Sequence, residues 1–240
     1  MGGLYREQGV VLRSIRLGEA DRIVSFVTEG RGKVRAVAKG VRKTKSRFGA
    51  RLEPTVHVSL LLYEGRELDI VTQAEAIDHF RAVREDLDRL TRATQMLEAV
   101  DQVAQERQAN PALYQMLVGA LRALAARDAP LIVPAFFWKL LSLEGFHPLL
   151  EACATCGATD DLVMFDLGQG GVLCRTCGRG ATPIATESLA LIRRILGGGL
   201  GPALNEPRSA VTDAVADLAT RALEQHLERR LRSMVMPERR

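Results

Sequence analysis

The sequence lacks the features that would assign it to a membrane protein or to a common class of enzyme. Within its 240 residues, no uninterrupted apolar run approaches the roughly 18 that a membrane span needs, and the first residues lack a signal-peptide core. The phosphate-binding pattern G-x4-G-K-[ST] is absent, because the only Gly-Lys pair, Gly32-Lys33, is followed by Val34. The patterns G-x-S-x-G and H-E-x-x-H are absent too. We therefore expect a soluble, cytoplasmic protein without catalytic activity.

Acidic residues are missing from one stretch of the chain. Residues 31–51 hold nine Lys or Arg and no Asp or Glu, although the net charge of the whole chain is only +4. Such a cluster repels itself unless an anion binds, and cations without acids suit phosphate neutralisation with counterion release. The stretch therefore predicts nucleic-acid binding, and a solvated basic loop without a partner is the alternative interpretation.

The region around this stretch has the period of β-strands. Runs of β-branched residues separated by turn residues predict five strands, near residues 8–16, 22–28, 33–38, 55–63 and 67–74. The period of two gives the third strand an apolar face and a cationic face, formed by Val34, Ala36 and Ala38 and by Lys33, Arg35 and Lys39. Five strands followed by helices are compatible with an OB-fold, whose basic groove binds single strands.

The remainder of the chain is predicted to be helical. After Ile77 the apolar residues recur at helical spacing, which places a domain boundary near residue 78. Asn110-Pro111 has the form of a helix N-cap followed by proline at the first helical position. Further helices are predicted at residues 134–144, 186–196 and 208–234. We predict an α+β protein with an OB-fold β-barrel at residues 1–78 and a helical domain at residues 79–240.

All four cysteines lie within a short part of the predicted helical domain. Cys153, Cys156, Cys174 and Cys177 form the pattern C-x2-C-x17-C-x2-C, which is typical of a four-thiolate zinc site. The sequence between the pairs predicts two short strands around a Gly-rich turn, as in a zinc ribbon at about residues 150–182. Because a catalytic zinc keeps an open position and usually has histidine or carboxylate ligands, we expect one structural zinc per chain. Free or disulfide-bonded cysteines are the alternative.

Several longer motifs resemble one known family. "GEADRIVSFVTEGRGKVRAVAKGVRKTKSRFGARLEP" followed by "LLLYEGRELDIVTQAEAI" resembles the N-terminal domain of the bacterial DNA repair protein RecO family. "KLLSLEGFHPLLEACATCG" and "ALEQHLERRLRS" are similar to later signatures of the same family. The resemblance covers nearly the whole chain, and its motifs are specific as a set.

The resemblance implies a fold, a function and partners. It implies an N-terminal OB-fold and a helical domain that carries a zinc ribbon. It also implies a nucleoid-associated recombination mediator that binds single- and double-stranded DNA and anneals complementary strands. With the partner RecR, such a mediator helps to load RecA onto DNA coated by single-strand-binding protein.

The resemblance also assigns site residues. The zinc ligands of the family correspond to the four cysteines. Its basic surface corresponds to positions in the third strand and the loop after it, and we add the only aromatic residue of that loop, so that the predicted DNA-binding residues are Lys33, Arg35, Lys39, Arg42, Lys43, Lys45, Arg47, Phe48 and Arg51. Two other classes stay open at this point: a zinc-ribbon RNA-binding protein and a non-catalytic scaffold for protein interactions.

Overall fold

A computed structural model describes residues 2–234 of the chain. Its N-terminal part consists of five strands, with one turn of 3-10 helix, Gly49–Leu52, in the loop between the third and the fourth. The strands are β1 Leu4–Leu17, β2 Asp21–Thr28, β3 Gly32–Ala38, β4 His57–Tyr63 and β5 Asp69–Asp78. All five predicted strands are therefore present, and the first extends further towards the N-terminus than its pattern indicated.

The five strands close into a barrel in the order β1-β2-β3-β5-β4, and β4 pairs back onto β1. Closure depends on the length of β1, since its first half pairs with β4 and its second half with β2. A bulge between Val11 and Arg13 accompanies this change of partner. Only β3 and β5 run parallel, through Ala36 and Val37. This OB-like topology confirms the predicted fold of the N-terminal region.

The barrel interior is filled by apolar side chains from every strand. In β3, Val34, Ala36 and Ala38 are buried, so the alternation read from the sequence gives the correct inward face. Phe26 from β2 and Phe48 from the loop after β3 are the largest buried side chains of this core. The outward face of β3 carries the cations of this strand.

Three helices follow the barrel: α1 Arg81–Arg84, α2 Leu87–Val103 and α3 Pro111–Ala126. The side chain of Asp86 caps α2 by accepting a hydrogen bond from the N–H of Arg89, and Asn110 caps α3 in the same way. The predicted Asn110-Pro111 helix start is therefore confirmed. Within the described residues, those up to Asp128 form one compact unit together with residues 231–234, and Ala129–Arg230 forms another. The predicted domain boundary at residue 78 coincides with the end of β5 and stays a prediction.

The second unit combines helices with a small sheet. Its helices are α4 Ile132–Leu143, α5 Thr186–Leu196, α6 Leu200–Ala203 and α7 Ala210–His226. Strands β6 Leu162–Asp166, β7 Gly171–Cys174 and β8 Thr182–Pro183 form the sheet in the order β7-β6-β8. Trp138 on α4 meets Phe165 on β6 edge-on, with ring centroids 6.1 Å apart. These two buried rings pack the sheet against the helices.

One predicted helix is too long. The segment predicted over residues 208–234 is helical only as α7, which begins after a capping box at Ser209 and ends at His226. Glu228 then takes a left-handed φ of 52°, a conformation that does not continue a right-handed helix. A short 3-10 turn, Arg232–Met234, follows. Among the described residues, no helix has both the length and the apolar character needed to cross a membrane.

Substitution of Gly32 tests the close backbone contact at the first residue of β3. Its φ is +64°, and a Cβ atom there would lie 1.8 Å from the carbonyl oxygen of Gln108. We expect Gly32→Ala to lower the free energy of unfolding by about 2 kcal/mol or more, because both the backbone conformation and the close approach exclude a side chain.

The matched control for this substitution is Gly119→Ala in α3. A Cβ at Gly119 meets no atom within 4 Å, so alanine should raise the free energy of unfolding by about 0.5 to 1 kcal/mol. Urea denaturation of both variants measures the two effects. Equal effects of the two substitutions would contradict the close approach at Gly32.

Candidate nucleic-acid interface and metal site

The predicted DNA-binding cations fall into two groups that differ in their partners. Lys33 and Arg35 lie on the outward face of β3 and make ion pairs with acids from later in the chain. The other six cations make no ion pair with any residue in the described part of the chain; they are Lys39, Arg42, Lys43, Lys45, Arg47 and Arg51. We call these six residues the basic loop cations, and the segment that carries them, residues 39–51, the basic loop.

Lys33 and Asp101 form a largely buried ion pair, which the partly exposed Arg13 joins. Its Nζ lies 2.8 Å from Oδ1 of Asp101 on α2, and it also donates a hydrogen bond to the carbonyl oxygen of Asp101. Arg13 on β1 binds the other oxygen of the same carboxylate at 2.6 Å. Only 12% of the Lys33 side chain and 9% of the Asp101 side chain are exposed. Lys33 therefore joins the barrel to α2 and does not present its charge to solvent.

The basic loop is held in place mainly by backbone groups. Arg42 donates hydrogen bonds to the carbonyl oxygens of Gly18 and Glu19 in the turn between β1 and β2. Arg51 donates to the carbonyl oxygens of Arg47 and Phe48. Because neutral carbonyl groups hold these guanidinium groups, their positive charge is not cancelled. The loop is thus folded while its cations stay exposed to solvent.

Phe48 does not lie on this surface. Its side chain is 1% exposed and packs inside the barrel with Leu52 and the strand residues. A base cannot stack on a ring that is already enclosed, so the prediction that Phe48 contacts DNA requires correction. The guanidinium of Arg47 lies 4.9 Å from the centroid of this ring. Phe48 therefore anchors the basic loop to the barrel core.

The four cysteines come together in the second unit. Their sulfur atoms all lie within 4.8 Å of one another, as the coordination of one metal ion by four thiolates requires. The N–H of Gly157 donates to the carbonyl of Cys153, and the N–H of Gly178 donates to the carbonyl of Cys174. The two C-x2-C turns therefore have the same hydrogen bond. The donor set and its spacing fit a metal ion.

The two glycines after these turns are needed for different reasons. Gly157 has a φ of +75°, which glycine adopts without steric cost. A Cβ at Gly178 would lie 2.4 Å from the side chain of Met164 on β6. The first turn thus needs glycine because of its positive φ, and the second needs glycine because a side chain would collide with Met164 of the sheet.

The pKa values of two cysteines in the cluster are shifted in opposite directions. Backbone N–H groups, first that of Cys174, lower the pKa of the Cys153 thiol to about 6. Hydrogen bonding to Cys174 and Cys156 raises the pKa of Cys177 to about 12. One thiolate is thus stabilised while further negative charge is opposed by the sulfurs already present. A bound metal ion would supply the positive charge that lets all four thiols ionise.

Sequence reasoning missed the acids that pair with the β3 cations. Asp101 and Glu106 lie about 70 residues beyond β3 in the sequence. Glu64, which pairs with Arg31 just before β3, directly follows β4. No local pattern in residues 31–51 could reveal partners at such a distance in the chain. A helix that buries an aspartate among apolar neighbours, as α2 does with Asp101, was the only available signal.

Comparison with protein families places this architecture in a class. A family model described as "Recombination protein O N terminal" matches residues 1–80, and one described as "Recombination protein O C terminal" matches residues 84–234. The two models together cover both the barrel and the cysteine-bearing helical region. The chain therefore has both regions of a recombination protein O.

Individual relatives agree with this class over their full length. The chain is 44% identical to the DNA repair protein RecO of Nocardioides sp., with 98% of this chain and 100% of the relative covered. It is 42% identical to the DNA repair protein RecO of Frankia casuarinae, with 98% and 99% covered. The chain belongs to the RecO family. Membership supports a role in DNA repair as a recombination mediator.

The two groups of cations should respond differently to substitution. Lys33→Met should lower the free energy of unfolding by about 2 kcal/mol, because it removes a buried partner of Asp101. Lys45→Met should change it by less than about 0.5 kcal/mol, because Lys45 is exposed. Chemical denaturation of the two variants gives the comparison. Similar effects at both positions would show that Lys33 is not structural.

Proposed function

We propose that this protein is a non-catalytic recombination mediator that binds single- and double-stranded DNA through its basic loop and anneals complementary strands. In the same proposal, it acts with RecR to help load RecA onto DNA coated by single-strand-binding protein. It would work in the cytoplasm at the nucleoid. The three protein partners rest on family membership, whereas the DNA surface is argued from the residues.

The observation that carries the DNA-binding proposal is the set of six cations without an acidic partner in the described chain. Exposed charges of one sign that are concentrated on one loop attract a polyanion and release its counterions on binding. Contacts between these charges and phosphates do not distinguish one base from another, so binding should have low sequence specificity. Since Phe48 is buried, base stacking contributes little, and electrostatics should dominate.

Annealing follows from the same charge. Two DNA strands repel each other through their phosphates, and a surface that neutralises several phosphates reduces this repulsion while bases find their complements. Pairing and counterion release then supply the free energy. No nucleotide hydrolysis is required, in agreement with the absence of a phosphate-binding loop motif from the sequence.

We further propose that the four cysteines hold one zinc ion with a structural role. Four thiolates leave no open position for water or substrate, which is the arrangement of structural zinc sites. Zinc would fix the two C-x2-C turns relative to β6 and β7. The ion would therefore stabilise the second unit and take no part in annealing.

A quadruple alanine variant of the basic loop tests the DNA surface. Replacement of Arg42, Lys43, Lys45 and Arg47 should abolish the acceleration of annealing between two complementary oligonucleotides without ATP, because these exposed cations make no ion pair in the described part of the chain and supply the charge that neutralises phosphate. The measurement is the rate of duplex formation by fluorescence. Far-ultraviolet circular dichroism and zinc content establish that the variant is folded.

The matched control removes four exposed arginines elsewhere: Arg66, Arg81, Arg208 and Arg230. Both quadruple variants lower the formal net charge from +4 to zero. The control should keep annealing, since a surface and not the net charge is proposed to act. Equal loss in both variants, or no loss in either, would overturn the assignment of the basic loop. Tighter binding of RNA than of DNA with the same sequence would favour an RNA-binding protein instead.

Metal analysis tests the second proposal. Protein purified without chelator should contain about one zinc per chain. Cys174→Ser should lose the metal and lower the thermal stability of the protein, whereas serine at the exposed Thr155 should change neither property. Zinc should also be released as the pH falls, because each ligand must lose its proton to bind. Wild-type protein with much less than one zinc per chain would contradict the site.

A further inference from the structure

Two of the ion pairs at the start of β3 are exposed, unlike the buried pair of Lys33. Arg35 lies 3.4 Å from Glu106, and their side chains are 37% and 55% exposed. Arg31, just before β3, lies 3.3 Å from Glu64, with side chains 36% and 38% exposed. Exposed pairs contribute little to stability, since water solvates both charges when they separate. These two arginines can therefore change partners at small cost.

Glu106 is held beside Arg35 by the backbone. The N–H of Lys33 donates to the carbonyl of Gln105, and the N–H of Arg107 donates to the carbonyl of Lys33. The segment around Glu106 thus runs alongside β3 in parallel. Because Gly32 has no side chain, this segment can approach the backbone of β3 closely. The backbone of Glu106 is thus held beside β3 by hydrogen bonds that do not depend on the ion pair, and its carboxylate stays within reach of Arg35.

Glu64 keeps a cation even without Arg31. Its Oε1 also lies 3.2 Å from Nη1 of Arg107, whose Nη2 binds Asp69 at 2.9 Å. The guanidinium of Arg31 is positioned over the ring of Tyr5, 3.8 Å from its centroid. Departure of Arg31 would therefore leave no unpaired carboxylate behind, and the stacking on Tyr5 limits how far the guanidinium moves.

Arg35 belongs to the strand that leads into the basic loop, and Arg31 is the residue just before this strand. Arg35 lies on the outward face of β3, and Lys39 is the first residue after this strand, four residues further on, which corresponds to at most about 13 Å. The Val37 side chain between them is only partly buried. A nucleic-acid backbone bound at Lys39 and the loop can follow this face towards Arg35 and Arg31.

We propose that Glu106 and Glu64 occupy Arg35 and Arg31 in the free protein as stand-ins for phosphate, and that bound DNA replaces these carboxylates. The proposal rests on DNA binding by the basic loop and extends its footprint along β3. Lys33 takes no part, since its partner is buried. The two glutamates then reduce affinity for short or weakly charged anions, because the loop cations must first bring phosphates close enough for exchange.

A double-mutant cycle between Glu106 and Arg35 tests the exchange. Glu106→Gln should raise the affinity for a labelled oligothymidylate about two- to five-fold at low salt, because Arg35 no longer has to leave a carboxylate. Arg35→Ala should weaken binding. In the Arg35→Ala background, Glu106→Gln should change the affinity for DNA little, because Arg35, which the loss of the glutamate would release, is absent. Fluorescence anisotropy measures all four proteins under one salt condition.

Glu85→Gln is the matched control. It removes the same charge from an exposed ion pair, that of Glu85 with Arg81 on α1, and should leave the affinity unchanged. If Glu106→Gln had no effect, or raised the affinity equally with and without Arg35, the exchange would be wrong. The quadruple loop variant, measured in parallel, separates the two proposals. If that variant lost DNA binding while the cycle showed no coupling between Glu106 and Arg35, DNA binding by the basic loop would stand and only its extension along β3 would be wrong.

Discussion

The arrangement of the first unit depends on the ion pairs of the Asp101 carboxylate. It binds Arg13 of β1 through one oxygen and Lys33 of β3 through the other, so that a single residue of α2 joins two barrel strands. A buried carboxylate is costly unless it is paired, and here two cations pair it. The cluster therefore fixes α2 against the barrel and decides which cation of β3 is structural.

This constraint divides one basic stretch into parts with different physical roles. Lys33 is neutralised inside the protein, and Arg31 and Arg35 have exposed carboxylate partners. The loop that follows is anchored by the buried ring of Phe48 and by carbonyl groups. Neither kind of anchor cancels charge. The carboxylate of Asp21 also holds the loop, but it accepts from the backbone N–H of Gly40 and makes no ion pair with the loop cations. The charge of these cations is therefore available for phosphate.

Much of this architecture could be predicted from the sequence, because it depends on local periods. The five strands, the inward face of β3, the Asn110-Pro111 helix start and the cysteine pattern all follow from spacings within a few residues. The role of Phe48 could not be predicted, since an aromatic residue in a basic loop looks the same whether its ring faces solvent or core. The end of α7 at His226 was missed because Glu228 carries no glycine or proline signal for its left-handed φ. The pairing of Lys33 with Asp101 joins residues far apart in the chain.

The salt dependence of DNA binding tests the central claim most directly, which is that unpaired loop cations form the DNA surface. A plot of log Kobs against log salt concentration for single-stranded DNA should have a slope of about −3 to −4, as expected for roughly four to six phosphate contacts. Alanine at Arg42, Lys43, Lys45 and Arg47 should reduce the magnitude of this slope by about 2 to 3. A flat dependence for the wild type, or the same slope in the variant, would contradict the account.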